Sequence, residues 1–215
     1  MQSEATSPPV TDPAPDREAD LRVAKASLIG AEDLPGTGWR RSTTDTTQSR
    51  TEKKKSGSSF DCPEVDEELG SGFERKAASA DSPTFDRREP VSSVHETASL
   101  MPDSQSAVQT VQATKRSEFK TCMERGFKHD FAKEDRDVKV HIADWKVPKT
   151  GDSQNSFEIE LTTSTEGREN TVHVGLAVVQ VGRGVLILTV SGLDPVGDDA
   201  VTIIKAARQK YIDNS

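Results

Sequence analysis

The sequence predicts an α+β fold, a mainly antiparallel sheet of about six strands with helices packed on it. Three observations carry that expectation. Residues 171–193 form an almost unbroken apolar run rich in β-branched side chains, divided into halves by Gly182-Arg183-Gly184. Segments 138–142 and 157–161 alternate apolar and polar residues and follow one another through short connections, which favours antiparallel neighbours. Spacings of three and four residues mark helices before these strands and after the apolar run.

Taken in order, residues 1–20 hold Pro8, Pro9, Pro13 and Pro15 among Ser, Thr and Asp and offer little to bury. They read as a disordered tether, leaving 21–215 as a single α+β domain. A short amphipathic helix is expected over 21–28. Pro35, Gly36 and Gly38 then interrupt regular structure, with Leu34 and Trp39 as the groups worth burying. Residues 40–59, rich in Ser, Thr and Lys, read as an excursion loop or a weak edge strand. Segments 73–80 and 85–101 read as strands separated by Asp81-Ser82-Pro83; Val94, Ala98 and Leu100 share one face, His95, Thr97 and Ser99 the other. Pro102 ends the second strand, and Asp103 or Ser104 caps a helix whose buried stripe is Ala107, Val108 and Val111.

The helical pattern resumes with Phe119, Cys122, Met123 and Phe127 on one side, weakened near its end by Gly126. Val138, Val140 and Ile142 alternate with Lys139, His141 and Ala143 in a half-buried strand that reaches Trp145 and stops near Pro148. Phe157, Ile159 and Leu161 alternate with Glu158, Glu160 and Thr162 in the next. In the apolar run, Val172, Val174, Leu176 and Val178 alternate with His173, Gly175, Ala177 and Val179, then Leu186, Leu188 and Val190 with Val185, Ile187 and Thr189. Both faces are apolar or small, so both are expected to be covered. Asp198 and Asp199 open a last helix with a stripe of Val201, Ile204, Ala207 or Arg208, and Tyr211.

Composition narrows the function classes. A formal charge of −8 over 215 residues argues against a nucleic-acid surface, which needs a concentrated basic face. Lys53-Lys54-Lys55, the one basic run, is followed closely by Glu64, Asp66, Glu67 and Glu68, and both read as solvated loop. Gly175, Gly182, Arg183 and Gly184 interrupt the apolar run, so it is not read as a membrane helix. Cys62 and Cys122 fit neither CxxC nor zinc spacing. A Cys62–Cys122 disulfide is expected in preference to two free thiols, because pairing leaves no odd cysteine in an exported chain. No signal peptide is visible at the start; the expectation is a mature or truncated form, with a cytosolic origin left open.

Catalytic and cofactor motifs fail one by one. GxSxG, GxxxxGK[ST] and GxGxxG are absent from the sequence, and Gly70-Ser71-Gly72 is too short to specify an oxyanion site. Adjacent Glu67 and Glu68 point to opposite faces of an extended chain. His95, His129, His141 and His173 show no HExxH or HxH spacing. His141 and His173, with Glu158 and Glu160 between them in sequence, form a conceivable metal set, but strand histidines more often serve as surface or hydrogen-bonded residues. No metal and no cofactor are therefore expected. Trp39 and Trp145 are the ligand-binding candidates, Trp39 being also readable as a core anchor.

AEDLPGTGW, Cys62, the helix around Cys122 and the closing VGLAVVQVGRGVLILTVSG with DDAVTIIKAARQKYI form a layout. It resembles the actinobacterial extracytoplasmic sensor and lipoprotein domains, the group that includes the extracellular sensor domain of PknH-type receptor kinases. A PsbP-like α/β/α sandwich is a related expectation for the fold. The resemblance implies a cysteine before the sheet paired with one in a middle helix, and a lipoprotein or membrane-tethered precursor with the Pro-rich N-terminus as stalk. The functional expectation is an exported, lipid-tethered sensing or ligand-binding module of the cell envelope without catalytic activity. Its partner would be a small molecule, lipid or envelope protein, and membrane attachment would be only through an N-terminal anchor absent from this chain. The alternatives are a structural or protein-interaction lipoprotein and, further off, an enzyme with an unfamiliar site.

Overall fold

Helices alternate with strands in the order α1 (Arg17–Ala26), a 3-10 turn (Ala31–Asp33), β1 (Arg40–Arg41), β2 (Ala78–Asp81), β3 (Phe85–Arg88), β4 (Val91–Leu100), α2 (Ser104–Thr114) and α3 (Ser117–Ala132). Then come β5 (Val138–Asp144), β6 (Ser153–Thr165), β7 (Arg168–Val181), β8 (Gly184–Gly192) and α4 (Asp198–Asn214). The computed structural model describes residues 16–43, 78–133, 136–165 and 168–215. All described strands join one antiparallel sheet in the order β1-β3-β4-β8-β7-β6-β5, with β2 also paired to β4. The expected α+β class holds, with eight described strands rather than about six. The difference is local: Glu89-Pro90 divides the expected 85–101 strand into β3 and β4, and Arg40–Arg41 adds a short edge strand against β3.

The central hairpin forms where the glycines predict. Val181 pairs with Gly184, so Gly182 and Arg183 make the turn, and Gly182 takes φ +55°, a region that costs little without a Cβ. Both of its faces are buried, as the alternation requires. Ala177, Val179, Leu186, Leu188 and Val190 join Val94, Ala98 and Leu100 under α1 and α4. Val178 and Val185 pack with Met101, Ala107 and Val111 of the α2 region, while Val174, Phe157, Ile159, Leu161 and Val138 pack with Met123 of α3. Helices thus cover both faces of the sheet.

Several boundaries move for identifiable reasons. The first helix begins at Arg17, not Leu21, because the Asp16 carboxylate accepts from the backbone N–H of Glu18 at 3.0 Å and Ala19 at 3.2 Å. The last residues assigned to the tether are therefore helical; residues 1–15 lie outside the described residues. In α2 Val108 is 37% exposed, since Ala107, Thr110, Val111 and Thr114 repeat on the helix and Val108 turns away from them. In α4 the buried stripe is Ala200, Ile203, Ile204, Ala207 and Tyr211, with Val201 only half-buried. Asp103, as expected, caps α2 by accepting from the Ser106 N–H at 2.6 Å.

Candidate functional site

At one end of the sheet β3 turns into β4, β8 ends, and α4 begins. Those three ends, with Trp39, enclose a cleft of about 250 Å³. Its walls are mainly apolar: Trp39, Val190, Val196 and Ile203, with Pro90 and Pro195 beside them. Val91 on the wall and Leu193 between two wall residues are 52% and 57% exposed.

Trp39 is both wall and anchor. Its indole N–H donates to the Pro35 carbonyl at 2.8 Å, and the Arg87 guanidinium lies 4.5 Å above the ring. Arg87 is engaged on three sides. It donates to Ser92 Oγ at 3.3 Å, to the Pro35 carbonyl at 3.5 Å and to Asp199 at 2.9 Å, and its side chain is only 10% exposed. One arginine therefore links the sheet, the Leu34–Trp39 loop and the start of α4.

Trp145 lies elsewhere, partly buried against the core under α1 and α4. Its position depends on Gly175: a Cβ there would come within 3.0 Å of the Trp145 ring and 2.8 Å of Val196. Trp145 lines a second, polar cleft of about 560 Å³ with Gln112, Lys115, Asp144, Lys149 and Asn155. The two tryptophans thus mark separate clefts. Most of the connection from Arg40 to Glu68, also a place to seek a site, lies outside the described residues.

His141 on β5 and His173 on β7 lie on strands that are not neighbours but flank β6. Glu160 of β6 pairs with His141 of β5 on one side and His173 of β7 on the other. His173 Nδ1 is 3.8 Å from Glu160 Oε1. Even so, among the described residues no three histidine, cysteine or acidic side chains are gathered so as to hold a metal ion. Cys122 is 3% exposed and is not a free thiol. Its expected partner, Cys62, lies outside the described residues.

One charged residue escaped the sequence reading. Glu96 of β4 is fully buried, between Val94 and Ala98 on the face under α1 and α4. Its Oε2 accepts the Ile29 N–H at 2.7 Å, while Oε1 has no partner. Burial pushes its carboxyl up to about 7; the Ile29 hydrogen bond and the Lys210 charge oppose that rise, and Asp33 adds to it. Period-two alternation from Val94 to Leu100 places Glu96 on the buried face, so the signal was present. Opposite it β2 gives way to β3, and Ser82 fills the gap in pairing: Ser82 Oγ accepts the Glu96 N–H at 2.9 Å and the Ser82 N–H donates to the Glu96 carbonyl at 2.8 Å.

Fold and clefts define an α+β module with helices on both faces of an antiparallel sheet. No family model matches the chain, and no curated protein matches it. Among solved structures it is similar to the extracellular domain of PknH from Mycobacterium tuberculosis, with 12% identity and a TM-score of 0.38 over 60% of this chain and 62% of that one. The chain thus matches less than two thirds of that domain's length, and a likeness of this degree assigns it neither family nor function. No helix among the described residues is long and apolar enough to cross a membrane.

Proposed function

We propose that this chain is an exported binding or sensing module that holds a small ligand in the Trp39 cleft and performs no catalysis itself. The cleft carries the reading. An apolar hollow of about 250 Å³ opens beside Val91, a wall residue that is 52% exposed. Exposed apolar surface contiguous with a concave apolar wall is what a ligand, rather than water, would cover. The volume suits a short alkyl or single-ring group. Lipid tethering through the Pro-rich N-terminus belongs to the same proposal.

Small-molecule fractions of cell-envelope extracts are expected to raise the melting temperature of the 215-residue chain. The shift should shrink in Val91→Ser, which alters an exposed wall side chain and leaves the core intact. An absence of any shift, or one indifferent to that substitution, would remove the cleft from consideration.

Export goes with paired cysteines, and that pairing is tested separately. Ellman's reagent is expected to find no thiol in the native, unreduced protein and two after denaturation and reduction, the number of cysteines in the chain. Two thiols in the unreduced chain would defeat both the Cys62–Cys122 pairing and its argument for an oxidising compartment.

A further inference from the structure

We infer that the ligand of the Trp39 cleft is an apolar amine, a short alkyl or aryl group bearing an ammonium. The inference rests on the cleft reading above and adds the sign of the ligand's charge. Four charged residues line the hollow: Arg87, Asp194, Asp198 and Asp199. Arg87 and Asp199 neutralise one another at 2.9 Å. Asp194 and Asp198 are exposed, and neither makes an ion pair among the described residues. Two negative charges are left at the rim of an apolar hollow.

Two features favour an anion, and both fall short. The start of α4 opens onto the cleft at Gly197, but a helix N-terminus is equivalent to only about half a positive charge. Asp198 and Asp199 occupy that first turn already. Arg87 is the one cation of the lining, yet its guanidinium already donates to Ser92, Pro35 and Asp199 and lies over Trp39, and its side chain is only 10% exposed. An anion would have to share that largely buried guanidinium with the Asp199 carboxylate. A cation meets Asp194 and Asp198 with nothing to break, while its apolar body lies against Val190, Val196 and Ile203.

The test uses three probes of equal chain length, n-hexylammonium, 1-hexanol and hexanoate, titrated into the full chain at low and high salt and followed by backbone amide shifts of residues 190–200. Exposed charge pairs contribute modestly, so the ammonium is expected to bind roughly five- to twenty-five-fold more tightly than the alcohol at low salt. The preference should collapse at high salt. It should also disappear in Asp194→Asn/Asp198→Asn, whose affinity for hexanol serves as the control for an intact cleft. Hexanol binding as tightly as the ammonium would overturn the charge inference and leave the cleft reading standing. Hexanoate binding most tightly would overturn it in favour of Arg87 as anchor. No shift of the cleft amides with any probe would defeat both.

Discussion

Stability is expected to fall as pH rises through 7, and Glu96→Gln is expected to abolish that fall. Glu96 is 0% exposed, and burial raises its carboxyl from 4.5 to about 7. Between those values the folded chain holds a proton that the unfolded chain has released, so the unfolded state binds fewer protons and stability declines with rising pH. The contribution is fully present below about 4.5 and is lost as pH rises through 7. A displacement of this size corresponds to roughly 3 kcal/mol. Structurally, ionisation leaves Oε1 charged without a partner, while Oε2 alone keeps the Ile29 N–H. Lys210 provides partial compensation, but it is already bonded to Asp33. Glutamine keeps a carbonyl for Ile29 and never ionises. Denaturant unfolding of both proteins from pH 5 to 8.5 gives the answer as a difference, which cancels every other titrating group. A constant difference across that range would show that Glu96 does not hold its proton in the folded chain.

Glu96 also shows where reading the sequence stops. The central hairpin was legible because its evidence is local: alternation along each half and glycines between them. The cap of α2 and the stripes of α2 and α3 were legible in the same way, except at Val108, whose apolarity outweighed its position on the helix. Glu96 sat in a legible strand, but its polarity hid its face, and its partner Ile29 is 67 residues away. The start of α1 was missed because its composition continues that of the Pro-rich segment, although Asp16 is an N-cap. The Trp39 cleft has no linear signature at all. Its walls come from the Leu34–Trp39 loop, the β3–β4 turn and the β8–α4 connection, which only the antiparallel order β3-β4-β8 brings together. Trp39 was singled out in advance; Arg87, which holds its ring and ties it to α4, was not.

The same long-range logic makes the Asp20–Arg183 pair the other large effect. Asp20, on α1, is 3% exposed and meets Arg183 at the tip of the β7–β8 hairpin, 163 residues later, through both carboxylate oxygens. The Arg183 guanidinium also donates to the Met101 carbonyl at 3.0 Å, and the Arg183 carbonyl accepts the Met101 N–H at 2.9 Å. The hairpin tip thereby ties α1 to the end of β4. Removing one member of a buried pair leaves the other uncompensated, and Asp20→Ala is expected to cost about 3 kcal/mol, the low end of the usual range because Arg183 keeps some access to water. Arg183→Met should cost a similar amount, since Asp20 would then be the buried, unpaired charge. The double variant loses both charges together and should be destabilised by clearly less than the sum of the two. Chemical denaturation of the four proteins measures that coupling. Strict additivity would mean that Asp20 and Arg183 act independently, and that α1 is held to the sheet by Ala24, Ile29 and their apolar neighbours alone.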